Sequence, residues 1–297
     1  MSTAEENHTS FEWGYEEDNG PSKWGEYFPL ASSGKHQSPC DLCDDEVNLT
    51  KANSGAVSRP CIDFAESYWD NSAEGELTND GHSVKFEVGM PNNFTIKKGP
   101  YGDEEYQFLQ LHFHWGSIDS QGSEHTINGK SFPMEMHMVH VNSRYVKSDG
   151  TLDSTYTSAT DGLAVLGFMF QLGDDDCTAL ESITTGMSTL NGATKSETIA
   201  GNTLNIQLNL GSFLTLCIGK GYYTYSGSLT TPDFNEIVTW VIFKETIVMS
   251  KRQIASFRSM KDHHGHALVD NFRPTCPLND RIIEDGNGED PNDIDIR

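Results

Sequence analysis

The chain has 297 residues, with 44 Asp or Glu against 20 Lys or Arg, so its formal net charge is −24 and its pI is about 4.6. A negative field of this size repels nucleic acid and anionic membrane surfaces, which argues against both as partners. We predict an adaptation to salt, because a Debye length of roughly 3 Å at 1 M salt removes the self-repulsion of so acidic a chain. The alternative is an ordinary acidic protein.

The sequence also bears on the compartment of the protein. No window approaches the ~18 consecutive apolar residues of a transmembrane helix, and residues 1–6 lack the basic region and apolar core of a signal peptide. The six cysteines permit a few disulfides without requiring them. Three glycosylation triplets are compatible with secretion, at Asn7, Asn48 and Asn93. We expect an extracellular or secreted protein, and a cytoplasmic location stays open.

Taken in chain order, the predicted elements form a single domain of the α+β class that is mainly β. Residues 1–35 are polar with scattered aromatic side chains, and we interpret them as an irregular arm of a domain spanning residues 1–283. From Ile62 onward, short alternating runs are separated by turn clusters, and the clearest predicted strands are residues 83–88 and 108–115. We therefore predict a large twisted, mostly antiparallel central sheet with a few short peripheral helices.

The second half of the chain alternates predicted strands and helices. A nearly continuous apolar run at residues 163–172 predicts a central strand buried on both faces. Residues 174–190 open with three aspartates and repeat apolar residues at helical spacing, which predicts an amphipathic helix with acid at its positive end. Residues 238–243 are a further strand, and Ser250 is expected to cap a short helix. The six acids in residues 284–297 predict a tail without regular structure.

Three histidines within residues 110–141 are spaced to bind one metal ion. Successive side chains of a strand point to opposite faces, so His112 and His114 lie side by side on one face. A second alternating run follows, in which His137 shares a face with Glu135. If the two strands pair, the third imidazole reaches the first two.

Three neutral imidazoles suit Zn²⁺, and three protein ligands leave the fourth tetrahedral position open, as in a catalytic zinc site. Histidines that bind a metal usually donate their other N–H to an acceptor. Gln110 and Glu135 each stand two residues before one of the histidines, on the same face. The alternative is that alternating histidines cover a solvated strand face.

The segments that carry these residues resemble the α-class carbonic anhydrases. The motifs occur in the family's order with closely matching spacing: HFHWG at 112–116, GSEHT at 122–126, E-x-H-x-V-H at 135–140, GSLTTP at 227–232 and NFRP at 271–274. The resemblance implies a zinc lyase that hydrates CO2 reversibly to bicarbonate and a proton by attack of a zinc-bound hydroxide. With the charge, it indicates an acidic, salt-tolerant member like those of halotolerant algae.

The resemblance also implies catalytic roles for residues that pattern alone would leave in loops. Thr230 is the implied gatekeeper, whose hydroxyl proton goes to the carboxylate of Glu124 and so aims a lone pair of the nucleophile at the substrate. His82 falls on the family's proton-shuttle position. A nearby Asp80 should raise its pKa and Lys85 should lower it, and sequence does not decide which effect is larger.

The substrate is small and nearly nonpolar, so its pocket should be apolar, and Val139 lies on the His137 face of its strand. The resemblance adds to the substrate site Val165, Leu229, Thr231 and Trp240. It also places near the metal and its water network Asn271 and Tyr15. We expect a monomer that binds CO2, bicarbonate and, as in the family, sulfonamide-type and anion inhibitors.

Other histidines and other functions complete the predictions. His125 and His140 are expected to be buried structural histidines, and residues 263–266 (HHGH) a surface loop. A cupin-type metal oxygenase also uses an H-x-H strand but needs a carboxylate ligand, and Asp119 stands one residue late for that role. A catalytically silent carbonic-anhydrase-like binding domain would have lost ligands that are all present here.

Overall fold

The structure is a computed structural model, and it describes residues 11–45, 61–192 and 203–286. Fourteen strands lie in these ranges: β1 Asp41–Leu42, β2 Ile62–Phe64, β3 Ala73–Asn79, β4 Val84–Val88, β5 Thr95–Lys98, β6 Tyr106–Trp115, β7 Thr126–Ile127, β8 Met134–Asn142, β9 Leu163–Gly173, β10 Thr203–Leu208, β11 Tyr222–Gly227, β12 Val238–Phe243, β13 Ile247–Ser250 and β14 Glu284–Gly286. The helices in the same ranges are short: α1 Pro21–Tyr27, α2 Pro29–Ser33, α3 Ser67–Asp70, α4 Glu181–Gly192, α5 Gly211–Cys217 and α6 Lys251–Arg258.

One twelve-stranded sheet dominates the molecule. Its main path has the order β10-β3-β4-β6-β8-β9-β12-β11-β14, while β13 pairs with β9 and β5 joins β2 to β6. All of these pairs are antiparallel except those of β9 with β12 and with β13. The predicted mainly β fold around a large, mostly antiparallel sheet is therefore confirmed.

Alternation along the central strands separates two apolar cores. Leu111, Phe113 and Trp115 of β6 are fully buried in the larger core, whereas Val139 and Val165 belong to the smaller core on the other face. The first eight residues of β9 and all nine of β8 are buried. The predicted buried central strand is thus confirmed, and β8 is a second one.

The predicted helix at residues 174–190 forms, but it starts later than expected. A 3-10 turn, Thr178–Leu180, precedes α4, so the three aspartates lie outside the helix. Asp176 instead accepts a hydrogen bond from Ser250 and pairs with Arg252, which explains why it is not at the helix end. The cap of α6 is confirmed, because the Ser250 side chain accepts from the backbone N–H of Gln253 in a capping box.

Both ends of the predicted domain need correction. Residues 21–33 of the arm are not irregular, since α1 and α2 each begin with a proline at the first helical position, where its fixed φ favours a helix. At the other end, residues 284–286 form β14, which pairs antiparallel with β11, so the ordered domain extends past residue 283. The rest of the predicted tail, residues 287–297, lies outside the described residues.

All six cysteines lie in the described ranges, and five of them are free thiols: Cys40, Cys43, Cys177, Cys217 and Cys276. Within those ranges, no helix combines the length and the apolar character that crossing a bilayer requires.

Candidate metal centre and active site

Two neighbouring strands in the middle of the sheet carry the predicted metal ligands. In the antiparallel ladder of β6 and β8, His112 stands opposite His137 and His114 stands opposite Glu135. Because side chains two apart on a strand share a face, all four point to the same side of the sheet. The ladder therefore brings together three imidazoles that are up to 25 residues apart in sequence.

Each imidazole is fixed by a hydrogen bond at one ring nitrogen. The partner is in every case an oxygen that only accepts: His112 Nδ1 to Gln110 Oε1 at 2.9 Å, His114 Nδ1 to the Asn271 carbonyl oxygen at 2.8 Å, and His137 Nε2 to Glu135 Oε1 at 2.6 Å. The histidines must donate in these bonds, so the other nitrogen of each neutral ring carries a lone pair. Gln110 and Glu135 make these contacts through their side chains, whereas Asn271 makes its contact through its backbone.

The three remaining nitrogens meet at one place. They lie within 4.8 Å of one another, and His114 Nε2 is 3.1 Å from His137 Nδ1. Two lone pairs at this distance repel unless a cation lies between or beside them. The donor set, three neutral imidazoles held by oriented acceptors, therefore fits a zinc ion.

The electrostatics of the rings favour metal binding. Burial lowers the pKa of His112, and its neighbours His114 and His137 lower it further; burial is also the main cause of the lowered pKa of His114. The lowered pKa keeps the imidazoles of His112 and His114 neutral, and only a neutral ring can bind a metal ion.

Glu135 organises the far side of the metal centre. Its Oε2 accepts the backbone N–H groups of Glu124 and His125 at 2.8 Å each, and its Oε1 lies 2.7 Å from His125 Nδ1 as well as 2.6 Å from His137. Burial alone would raise the pKa of this carboxyl, but its electrostatic interactions and hydrogen bonds with His125 and His137 hold that pKa well below its ordinary range. Glu135 is therefore an ionised acceptor with four donors.

The two predicted structural histidines are fully buried. His125 continues the network from Glu135, because its Nε2 lies 2.6 Å from the Tyr225 hydroxyl, which in turn lies 2.9 Å from Ser38 Oγ. His140 Nε2 lies 2.6 Å from the Tyr68 hydroxyl, and burial lowers the pKa of His140 to about 3. Neither ring faces the metal position with a free nitrogen.

Glu124 lies beside the metal centre, and only one of its two carboxylate oxygens accepts a hydrogen bond from the described residues. Its Oε1 accepts the backbone N–H of Arg273 at 2.8 Å, and its Oε2 is 3.4 Å from His114 Nε2. This Oε2 is buried, and the described residues supply it with no hydrogen bond. Thr230 is also buried, at 4% exposure, in the segment after β11. The hydrogen bond predicted from Thr230 to Glu124 stays a prediction.

The predicted apolar pocket residues are brought together beside the histidines. Val139 stands opposite Val165, which stands opposite Trp240 on the next strand, and Leu229 packs against the same core. The Trp240 ring lies edge-on to His137, with centroids 4.7 Å apart. Four predicted substrate residues thus form one apolar surface, next to which Thr231 is half-buried.

His82 lies in a turn between β3 and β4. The backbone N–H groups of His82 and Ser83 both donate to Asp80 Oδ1, and the His82 ring stacks on Trp13, with centroids 3.8 Å apart and planes 9° apart. Burial lowers the pKa of His82 and outweighs Asp80, which raises it. Lys85 pairs instead with Glu87, at 2.8 Å.

Tyr15 is half-buried beside Trp13 and Trp24, at centroid distances of 5.8 and 5.6 Å. Burial, and then the charges of Glu124 and Asp80, raise the pKa of its phenol. Sequence reasoning missed Trp13 as the stacking partner of His82, although the aromatic residues of the arm were a signal that it covers part of a site.

The fold and the centre together define a class of enzyme, and comparison with known proteins agrees. The sequence model of the eukaryotic-type carbonic anhydrases matches residues 19–286, so the chain belongs to this family and is a carbonic anhydrase, a lyase. It is 35% identical to mouse (Mus musculus) carbonic anhydrase 7 over 279 residues, which cover 92% of this chain and 96% of the relative. It is 34% identical to human (Homo sapiens) carbonic anhydrase 7 over 279 residues, which again cover 92% of this chain and 96% of the relative.

These findings remove one alternative function. A cupin-type oxygenase would need a carboxylate ligand, but Asp119 is exposed and pairs with Arg258 at 2.8 Å. The third residue of the candidate metal site is His137 on β8, a histidine rather than a carboxylate, so the cupin interpretation is wrong.

Proposed function

We propose that this carbonic anhydrase hydrates CO2 reversibly to bicarbonate and a proton at a zinc ion held by His112, His114 and His137. The observation that carries the proposal is that three imidazoles, each fixed by an acceptor at one nitrogen, turn their lone pairs to one point. When bound, zinc lowers the pKa of water from 15.7 to about 7 and so supplies hydroxide at neutral pH.

Glu124 and Thr230 orient the nucleophile in this proposal. The buried Oε2 of Glu124 can only accept while the carboxylate is ionised, and a hydroxyl proton from Thr230 would satisfy it. The Thr230 oxygen then has only lone pairs left, so it must accept a hydrogen bond from the nucleophile and thereby fixes its direction. Family resemblance, rather than an observed contact, supports the role of Thr230.

The apolar surface receives the substrate. Val139, Val165, Leu229 and Trp240 offer CO2 no hydrogen bond, which suits a molecule without charge. The indole N–H of Trp240 is already used, because it donates to the Ser228 carbonyl oxygen at 3.0 Å. Thr231 supplies a hydroxyl at the edge of this surface for contact with bicarbonate.

His82 carries the released proton toward solvent. A proton acceptor must be neutral, and the lowered pKa of His82 keeps its imidazole neutral to lower pH than in an ordinary histidine. Below that pKa the protonated ring can no longer accept, so turnover limited by proton release falls as the pH drops.

The role of Thr230 can be tested by a matched pair of variants. Thr230→Val removes the hydroxyl at nearly constant shape and is expected to lower kcat/KM for CO2 by about 10²-fold, because the nucleophile is no longer oriented. Thr230→Ser keeps the hydroxyl and should stay within a few-fold of the parent. Stopped-flow hydration on zinc-analysed protein measures both, and equal losses in the two variants would contradict the role.

The function itself is tested by stopped-flow CO2 hydration with and without a zinc chelator, in dilute buffer and in molar NaCl. We expect turnover that disappears when zinc is removed and returns when zinc is restored. Stoichiometric zinc without turnover would instead support the silent binding domain.

The comparison of activity in dilute buffer and in molar NaCl tests the second part of the proposal. We propose that the net charge of −24 adapts the enzyme to high salt, since screening removes self-repulsion while a strongly hydrated acidic surface keeps it soluble. Activity that collapses in molar NaCl, while a less acidic relative keeps working, would contradict this.

We further propose an extracellular monomer that binds sulfonamide-type and anion inhibitors at the metal centre. The exposed Asn93 of the third glycosylation triplet supports secretion, whereas Asn7 and Asn48 lie outside the described residues.

A further inference from the structure

The proposed proton carrier, His82, does not face solvent freely. It is half-buried, with one ring face covered by Trp13, and the ring of His263 stands edge-on to it at a centroid distance of 5.9 Å and an interplanar angle of 76°. His263 is itself exposed. A proton that arrives on His82 therefore has a second, more exposed imidazole beside it.

The backbone of the His82 turn is shaped to admit His263. Gly81 has φ of +82°, and a Cβ atom there would lie 2.2 Å from Cδ2 and from Nε2 of His263. A side chain at this position would displace the imidazole, so the glycine makes the close approach possible.

The loop that carries His263 is fixed to the turn that carries His82. Asn79 donates a side-chain hydrogen bond to the carbonyl oxygen of Lys261 at 2.8 Å, and Oδ1 of Asp262 accepts the backbone N–H groups of His264 and His266. The distance between the two rings is thus set by two anchored segments rather than by a free loop.

Acidic groups surround the two rings. The charged and titratable side chains near them come from the arm, the turn and the loop: Glu12, Tyr15, Glu16, Asp80, Asp262, His264 and His266. The charges of Asp80, Glu12 and Asp262 raise the pKa of His82, whereas burial and the charge of His263 lower it. The acids favour a positive charge in this pocket, and the mutual effect of the two rings disfavours holding two at once.

We propose that His263 is a second proton carrier, which takes the proton from His82 and delivers it to bulk buffer. The N–H bond of the protonated His82 ring breaks and an N–H bond forms on the neutral His263 ring, directly or through one water molecule. A buffer base then removes the proton from the exposed ring. This inference rests on the proposed function of His82 and extends it by one residue specific to the HHGH loop.

The test compares kcat in dilute and in concentrated buffer for His263→Phe, which keeps a ring against Gly81 but cannot carry a proton. In dilute buffer we expect kcat to fall about fivefold, less than the roughly 10²-fold or more that loss of a main acid–base group costs. kcat/KM should not change, because proton release follows CO2 conversion. Added imidazole, a soluble proton carrier, should restore kcat.

Controls separate this relay from other roles of His263. His36→Phe removes an exposed histidine that lies 4.0 Å from Asp280 and does not line the His82 pocket, and it should behave like the parent. If the two histidines act in series, the double variant of His82→Ala and His263→Phe should have a kcat no lower than that of His82→Ala alone.

Three results would overturn the relay: an unchanged kcat in His263→Phe at every buffer concentration, a loss in His263→Ala that His263→Phe does not share, or an additive loss in the double variant. Failure of the proposed function looks different, because the parent would then lack kcat/KM for CO2.

Discussion

His112→Ala is expected to lose zinc and CO2 hydration together while keeping its fold. Without zinc the pKa of water returns from about 7 to 15.7, so kcat/KM should fall by at least about 10³-fold. The fold should survive because His112 is the least buried of the three ligands, and backbone pairing of β6 with β4 and β8 holds the strand. Metal analysis, stopped-flow hydration and thermal unfolding with zinc removed measure the three quantities.

Gln110→Ala is the graded control for this prediction. This substitution removes only the hydrogen-bond acceptor that lies 2.9 Å from His112 Nδ1. Zinc affinity should therefore fall by roughly 10–100-fold, which is the usual cost of losing such a partner. Saturating zinc should restore activity. Stoichiometric zinc and parental activity in His112→Ala would show that the ligand assignment is wrong.

Glu135→Gln should weaken both zinc binding and the fold, although it changes only one atom. In the parent, each carboxylate oxygen accepts two donors: backbone N–H groups of Glu124 and His125 at Oε2, and the rings of His125 and His137 at Oε1. The glutamine side chain replaces one carboxylate oxygen by an NH2 group, which donates hydrogen bonds. Whether the NH2 group faces the two backbone N–H groups or the two rings, two donors there lose their acceptor. We expect a loss of about 3 kcal/mol or more in the free energy of unfolding.

The same substitution disturbs the metal site through the tautomer of His137. If the NH2 group faces the rings, His137 Nε2 must become an acceptor, and its proton moves to the Nδ1 that faces the metal position. Zinc affinity should then fall by at least about 10-fold, as judged by chelator competition. Glu181→Gln makes the same chemical change at an exposed position and should leave both quantities unchanged. A Glu135→Gln protein with parental stability and affinity would show that this network is not required.

The sequence predicted those features that depend on residue type and short spacing. The alternation of side chains along β6 and β8 was enough to predict that His112, His114 and His137 share one face of the sheet. The apolar run of β9 was enough to predict that this strand is buried. Sequence reasoning did not reveal that Asn271 holds His114 through its carbonyl oxygen, because any residue supplies that atom.

Contacts between distant segments were also beyond sequence patterns. Trp13 and His263 meet His82 across 69 and 181 residues, and nothing in their local sequence indicates the partner. Likewise, the three aspartates before α4 suited a helix end, but Ser250 and Arg252 on a distant segment compete for Asp176.

The position of β8 determines how easily the backbone that carries His137 can open. All nine of its residues are buried, and ladders to β6 and β9 occupy both of its edges. Fraying starts at exposed ends and loops, where few contacts must break, whereas mid-sheet strands open only with the whole domain. The pocket of His82 lies in turns and the arm and can loosen locally, whereas the backbone of β8 that carries His137 separates from its neighbours only when the domain unfolds. The backbone that carries His82 and the backbone that carries His137 are therefore subject to opening events of very different free energy.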